Sequence, residues 1–313
     1  MRSVPQDGEP ARDYDDACRK ACEIRDQTGA TLVHAFDDPD IIAGQGTAGL
    51  EIAREIGAPF TLVCPVGGGG LVSGLALAVK GCLPGVKVIG VQAEGMCAFL
   101  SSRMKGEVVT VDPAHTIADG IAVRTPGRLT FEISTGLLDD LVTVTDDEIA
   151  EAILLLLERG KVVVEGAGAA PAAAVMAGKV RPGRGPVVLF ISGGNIDSTV
   201  LSSIIGRGLA KSGRLSNIAV LLEDRPGALA ALLAKVAALG ANVVTVNHDR
   251  LKSGTPVGGA EVVLSLETRD FEHASGIMRM LRSEGYRIAA APGAASPQEN
   301  DPPCGIIPEE VRP

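Results

Sequence analysis

The chain has no tryptophan, few aromatic residues (3%) and no excess of positive charge, and each shortage limits what it can do. With so few aromatic rings, the core of this 313-residue chain must rest on Val, Leu, Ile and Ala. The formal net charge is −9 and the sequence contains no block of basic residues. Both features argue against binding the phosphate backbone of nucleic acid. We therefore expect no nucleic-acid partner.

The sequence also lacks an apolar segment of the kind that a membrane helix requires. The longest stretch without charge runs from Ile56 to Val79, but prolines and the glycines Gly67–Gly70 interrupt it. The first residues turn acidic after Arg2 and show no apolar segment typical of a signal peptide. We expect a cytoplasmic protein with no membrane partner.

The six cysteines form no Cys-x-x-Cys pair and have no histidine at metal-ligand spacing. Cys18 and Cys22 lie one helical turn apart, which is more simply explained by two neighbouring thiols on a helix than by half of a zinc site. We expect reduced thiols and no metal site.

What the sequence does contain, up to Arg207, is an alternation of apolar strands and helices. Continuous apolar strands separated by helices predict an α/β fold with a parallel sheet covered on both faces. The strands are predicted at Thr31–Ala35, Phe60–Val66, Val86–Val91, Leu141–Val144 and Pro186–Ile191. Among the helices, one over Asp146–Arg159 begins with a capping box of Thr145 and Glu148.

The pattern changes after Arg207. Residues 208–216 include several small and basic residues and are predicted to form a linker. Residues 217–290 show the order βαββαβ, which predicts a second compact domain. Residues 291–313 contain six prolines and little apolar pattern, so we predict a disordered tail.

The most informative chemical feature is the run Gly67–Gly70, between a buried strand and a helix. Residues without Cβ let backbone N–H groups turn inward, and the start of a helix adds partial positive charge. Such a loop suits a phosphate group, although glycines also permit a tight strand-to-helix turn. The dinucleotide pattern Gly-x-Gly-x-x-Gly fails at Val72 or Ser73, which disfavours a nicotinamide dehydrogenase. The loop therefore predicts a site for a single phosphate monoester.

A second glycine turn, Ser192–Asn195, follows the last strand of this region. Loops at the carboxyl ends of parallel strands converge on one crevice. The two glycine loops are therefore placed to hold opposite ends of one ligand, with a ring atom at Ser192. Taken alone, Ser192 is equally compatible with an ordinary turn.

Five segments in this order resemble threonine dehydratases, also called threonine/serine ammonia-lyases, which are pyridoxal-phosphate enzymes of fold type II. The segments are Asp37–Thr47, Gly67–Gly70, Thr116–Gly120, Glu165–Ala169 and Ser192–Asn195. The resemblance covers residues 13 to about 290. It implies an incomplete tryptophan-synthase-β-like catalytic domain in residues 1–207 and an ACT regulatory domain in residues 217–290.

The resemblance also implies a cofactor site for pyridoxal 5′-phosphate. Gly67, Gly68, Gly69 and Gly70 would bind the phosphate, and Ser192 would face the ring nitrogen. A neutral hydroxyl does not hold that nitrogen protonated as a carboxylate would, which favours β-elimination from threonine or serine to a 2-oxo acid and ammonia. Glu165 would lie near the cofactor; its alternative role is a charge at a helix start.

One part of the family's pattern is absent. The lysine that binds the cofactor aldehyde lies in a Ser-x-Lys-x-Arg-Gly motif, and none of the nine lysines here has these neighbours. We therefore expect a catalytically incomplete chain without a catalytic residue of its own, explained by a truncated gene or a misplaced start codon. The alternative is a non-catalytic protein that senses an amino acid through the remnant domain and the ACT domain.

Two further expectations come from the resemblance. In ACT domains the loop after the first strand, here Asp224 to Gly227, and the start of the second strand, here Asn242, line an amino-acid pocket between paired domains. This implies an amino-acid effector and a homo-oligomer, the alternative being a purely structural interface. Some fold-type-II relatives hold a divalent ion through a carboxylate at the position of Gln92. Because glutamine has no carboxylate, no such site is predicted in this chain.

Overall fold

A computed structural model describes residues 14–289, which divide into two compact units, one ending at Ile204 and one beginning at Ile205. The predicted tail, residues 291–313, lies outside the described residues.

The first unit is built on a four-stranded parallel sheet, as the continuous apolar runs predict. Its strands are β1 (Thr61–Pro65), β2 (Lys87–Ala93), β3 (Asp140–Val144) and β4 (Val187–Leu189). Their spatial order is β3-β2-β1-β4, and every neighbouring pair is parallel. The central position of β1 brings the loop that follows it to the middle of the sheet's carboxyl edge.

Helices precede, separate and follow these strands along the chain. They are α1 (Tyr14–Thr28), α2 (Pro39–Ile56), α3 (Gly70–Cys82), α4 (Ala98–Lys105), α5 (Arg128–Leu137), α6 (Asp146–Leu155), α7 (Gly166–Met176) and α8 (Ser198–Lys211). The predicted capping box is present, since Thr145 Oγ1 accepts from the Glu148 N–H and the Glu148 carboxylate accepts from the Thr145 N–H. No helix in residues 14–289 is long and apolar enough to cross a membrane.

Two apolar cores lie on opposite faces of the sheet, because successive side chains of β1 point in opposite directions. Val63 packs into the core beneath α6 and α7, whereas Leu62 and Cys64 pack into the core around α3. Cys64 is a core residue, and its complete burial raises the pKa of its thiol to about 12.

Two sequence-based predictions are wrong, and one helix was missed. Residues 31–35 form no strand, because no strand of this sheet pairs with them. The predicted linker, residues 208–216, is mostly regular structure: α8 continues to Lys211, and the next strand begins at Leu215. Gly213, with φ 70°, makes the turn between them in only three residues. Helix α5 was not predicted at all.

The second unit has the predicted βαββαβ order. It consists of β5 (Leu215–Glu223), α9 (Ala228–Ala238), β6 (Asn242–Asp249), β7 (Gly259–Glu267), α10 (Phe271–Ser283) and β8 (Arg287–Ala289). The strands form an antiparallel sheet in the order β6-β7-β5-β8. Val220, Val236, Leu264 and Ile277 are buried in the core that both helices share with the sheet.

Candidate functional site

A cavity of about 580 Å³ opens in the first unit, lined by the loops that follow β1 and β4. Every residue that the sequence assigned to the cofactor lines it: Gly67 to Gly70, Glu165 and Ser192. Asp119, Gly120 and Asn195, which belong to the same motifs, line it as well. The structure thus brings together segments that are more than 120 residues apart in the sequence.

The glycine loop presents backbone donors that have no partner among residues 14–289. Among the described residues, none accepts a hydrogen bond from the backbone N–H of any residue from Gly67 to Val72. Gly68, Gly69 and Gly70 are nevertheless buried. The first N–H groups of a helix have no intrahelical partner, and here the loop residues Gly67 to Gly69 add further N–H groups to those of α3 at the cavity. A phosphate, with several acceptor oxygens and negative charge, fits donors at the start of a helix.

Close packing requires these residues to be glycines. A Cβ atom at residue 68 would overlap the ring of Phe36, and one at residue 70 would lie 2.7 Å from the Phe36 Cβ. Gly69 has φ +98°, and a Cβ there would lie 2.9 Å from the Thr130 side chain. The loop is therefore confined by Phe36, which also lines the cavity, and by Thr130, which does not.

Glu165, the residue before α7, lies under the second glycine turn. Its backbone N–H donates to the Gly193 carbonyl at 3.0 Å, and a Cβ atom at residue 193 would overlap its Oε1. Burial raises the pKa of this carboxyl group, and the nearby charge of Asp119 raises it further, while the Asn195 backbone N–H lowers it. Glu165 therefore holds a proton more readily than an ordinary glutamate does.

Ser192 begins the same turn and is exposed to the cavity. In residues 14–289 no group forms a hydrogen bond with its hydroxyl. A hydroxyl can both donate and accept, so Ser192 can pair with a ring nitrogen in either protonation state.

Gln92, where the sequence predicts no divalent ion, has a structural role. It is buried, its Nε2 donates to the Val66 carbonyl at 3.2 Å, and its Oε1 accepts from the Leu100 N–H at 2.8 Å. Within the described part of the chain, no group of three His, Cys, Asp or Glu side chains is arranged to hold a metal ion.

In the second unit the structure separates the three residues that the sequence assigned to an effector. Asp224 and Gly227 line a cavity of about 420 Å³, where Asp224 pairs with Arg250 at 3.1 Å. Asn242 is not part of this cavity, and its Nδ2 donates to Glu267.

The strand register explains this separation. Glu223, the last residue of β5 and the neighbour of Asp224, pairs with Gly259 at the start of β7. Asn242, the first residue of β6, pairs with Glu267 at the end of β7. Eight residues of extended chain span roughly 27 Å. The three residues therefore form no common pocket within a single copy of the domain, and a pocket between paired domains stays a prediction.

The sequence did not point to two residues beside the glycine loop, Phe36 and Thr130. Phe36 directly follows the segment that was predicted to be a strand. Thr130 lies on α5, whose fully buried positions include Thr130 and Ser134. A search for apolar residues at helical spacing overlooks such a face, although Pro126 and Gly127 before the helix are a start signal that could have revealed it.

Comparison with known proteins shows where this chain belongs. Residues 3–193 match the family described as pyridoxal-phosphate dependent enzymes. The L-threonine ammonia-lyase of Thermotoga maritima is 48% identical over 275 residues, which cover 88% of this chain and 68% of that protein. The catabolic L-threonine dehydratase of Escherichia coli K12 is 43% identical over 195 residues, 62% of this chain and 59% of that protein. The chain thus spans about two thirds of these relatives' length or less.

Solved structures agree. The crystal structure of a T.th. threonine deaminase matches with a TM-score of 0.53 and 42% identity, covering 56% of this chain and 65% of that one. A threonine deaminase isoform from Solanum lycopersicum matches with a TM-score of 0.57 and 34% identity, covering 62% and 57%.

Proposed function

The chain belongs to the family of pyridoxal-phosphate dependent enzymes, and on this basis we propose that its first unit binds pyridoxal 5′-phosphate for a threonine ammonia-lyase reaction. The reaction is the β-elimination of water from threonine or serine, which yields a 2-oxo acid and ammonia. Both relatives described above carry names of this activity. No observation favours a non-catalytic sensor over this assignment.

The N–H groups from Gly67 to Val72, which have no acceptor in the described part of the chain, carry the proposal. N–H groups that line a cavity at the start of a helix are available to bind an acceptor of a ligand. The phosphate of the cofactor supplies acceptors at the start of α3, where the helix dipole favours negative charge.

Ser192 and Glu165 act at the other end of the ligand. When bound, pyridoxal phosphate supplies an electron sink for the bonds that break at the substrate. Ser192 binds the ring nitrogen without fixing a proton on it, since its hydroxyl can act as donor or acceptor. Glu165 supports the Ser192 turn from below through its contacts with residues 193 and 195.

The residues of this chain orient the cofactor but do not supply the lysine that binds its aldehyde. Among the described residues no lysine lines the cavity, and the printed sequence contains no Ser-x-Lys-x-Arg-Gly motif. Without that lysine the site has no group to form the covalent bond or to remove the proton from Cα. We therefore expect the printed chain to bind the cofactor's phosphate and to be inactive unless a lysine-bearing segment completes the site.

For the second unit we propose an ACT domain that binds an amino-acid effector in a homo-oligomer. The match to the Thermotoga maritima relative is longer than the first unit, so the similarity extends into the second. Because Asn242 lies far from Asp224 and Gly227 in one copy, the effector pocket would combine Asp224 and Gly227 of one subunit with Asn242 of another.

Calorimetric titration with pyridoxine 5′-phosphate and with pyridoxine tests the cofactor assignment. Neither compound has an aldehyde, so neither can react with surface lysines. The phosphate ester should bind more tightly than pyridoxine, and Gly68→Ala should remove that preference by pushing the loop away from Phe36. Gly44→Ala is the matched control, because a Cβ there meets nothing within 4 Å. Equal affinity of the normal chain for both compounds would reject the assignment.

A further inference from the structure

Two carbonyl oxygens of the glycine loop accept hydrogen bonds from groups that do not line the cavity. Thr130, which is fully buried on α5, donates from Oγ1 to the Gly68 carbonyl at 2.6 Å. The Gly127 N–H donates to the same oxygen at 3.1 Å. Neither residue lines the cavity, so this carbonyl points away from it.

The geometry of the peptide bond turns this anchor into a constraint on the donors. In a trans peptide unit the C=O and the following N–H point in opposite directions. Holding the Gly68 oxygen toward α5 therefore directs the Gly69 N–H toward the cavity. The Gly69 oxygen is held in the same way by the backbone N–H of Ser73 at 3.0 Å and by its Oγ at 2.7 Å, which directs the Gly70 N–H.

Asp37 fixes the position of Thr130. Its carboxylate accepts from the backbone N–H groups of Arg128 at 3.0 Å and Thr130 at 3.1 Å, in the first turn of α5. Asp37 is itself held in a turn, because its N–H donates to His34 Nδ1 at 2.8 Å. A Cβ at Gly127 would overlap Asp37 Oδ1, so the approach requires glycine there.

We propose that Thr130 is a positioning residue for the ligand's phosphate, acting by fixing the orientation of the Gly68–Gly69 peptide, and that Asp37 acts through Thr130. The inference rests on the proposed function, since it assumes that the loop's N–H groups bind phosphate. It assigns a role to α5, a helix that does not itself line the cavity.

The test compares Thr130→Val, which keeps the side chain's shape and removes the donor, with Thr130→Ser, which keeps the donor. The quantity measured is the ratio of the dissociation constants of pyridoxine and pyridoxine 5′-phosphate for the full chain. Thr130→Val should lower this ratio about tenfold, the size of effect expected when a buried carbonyl loses a donor. Thr130→Ser should retain it, and binding of pyridoxine itself should not change.

Thr135→Val is the matched control, because Thr135 lies on the same helix and its Oγ1 donates to the Phe131 carbonyl, away from the glycine loop. Asp37→Asn provides a second test at a partly exposed site and should lower the ratio about threefold through the loss of one acceptor. If Thr130→Val does not fold, the Asp37 variant decides.

A folded Thr130→Val or Asp37→Asn protein with the unchanged ratio would overturn the role of the anchor. If the unaltered chain shows no preference for the phosphate ester, the proposed function fails instead, so the two failures are distinguishable.

Discussion

Glu165 and Gly193 are packed so closely that no side chain fits between them, because a Cβ atom on residue 193 would overlap Glu165 Oε1. The Glu165 N–H also donates to the Gly193 carbonyl. The turn that carries Ser192 therefore rests directly on the carboxyl group of Glu165. Substitutions on either side of this contact should affect the ring end of the cavity and leave the phosphate end intact.

Gly193→Ala should displace the Glu165 carboxyl group and destabilise the protein by about 1–3 kcal/mol, as expected for overpacking. Denaturant unfolding measures the loss. Gly136→Ala is the control, because it lies in α5 with nothing within 4 Å of the added Cβ, and it should cost nothing. Equal stability of the two variants would contradict the packing described for Glu165.

The raised pKa of Glu165 predicts a pH dependence of stability. A carboxyl group whose folded pKa lies above its unfolded value of 4.5 stabilises the protein below that value, and this contribution is lost as pH rises through the folded pKa. The free energy of unfolding of the normal chain, measured relative to Glu165→Gln, should therefore fall as pH rises from about 4 toward neutrality. A relative stability that rises with pH over this range would show that the pKa shift has the opposite sign.

We predict that this chain alone has no threonine ammonia-lyase activity. Incubated with pyridoxal phosphate and threonine, the purified chain should give no 2-oxobutanoate, because no lysine of residues 14–289 lines the cavity. A coupled assay that follows NADH consumption by lactate dehydrogenase measures the product. Turnover above that of free pyridoxal phosphate would show that one of this chain's own lysines can replace the missing one.

The second unit predicts complementation between subunits. Asp224→Ala and Asn242→Ala should each abolish amino-acid binding if the effector pocket needs both residues from different copies. In a two-fold dimer, refolding the two variants together in equal amounts should restore about a quarter of the sites, because half of the dimers are mixed and each has one intact pocket. Calorimetry with a panel of L-amino acids measures this. No recovery would favour separate roles for the two residues.

Much of the first unit could be predicted from the sequence because its determinants are local. The glycine run after an apolar strand, the capping box at Thr145 and the serine-glycine turn each depend on a few neighbouring residues. Parallel strands then place their following loops at one edge, so the convergence of Gly67–Gly70, Glu165 and Ser192 could be expected.

The features that the sequence did not reveal depend on distant contacts. Residues 31–35 have a strand's composition, but no strand within residues 14–289 pairs with them. Helix α5 buries the hydroxyls of Thr130 and Ser134, so its pattern does not resemble that of an apolar helix face. The distance between Asp224 and Asn242 follows from the register of β7, which cannot be read from the strands one at a time.

The central claim is that the N–H groups from Gly67 to Val72 bind the phosphate of the cofactor. The most direct measurement is a nitrogen–proton correlation spectrum of the labelled chain, titrated with pyridoxine 5′-phosphate and separately with pyridoxine. The amide signals of Gly67–Val72 should shift with the phosphate ester and remain in place with pyridoxine. Binding of the ester that leaves these amide signals unmoved would contradict the claim.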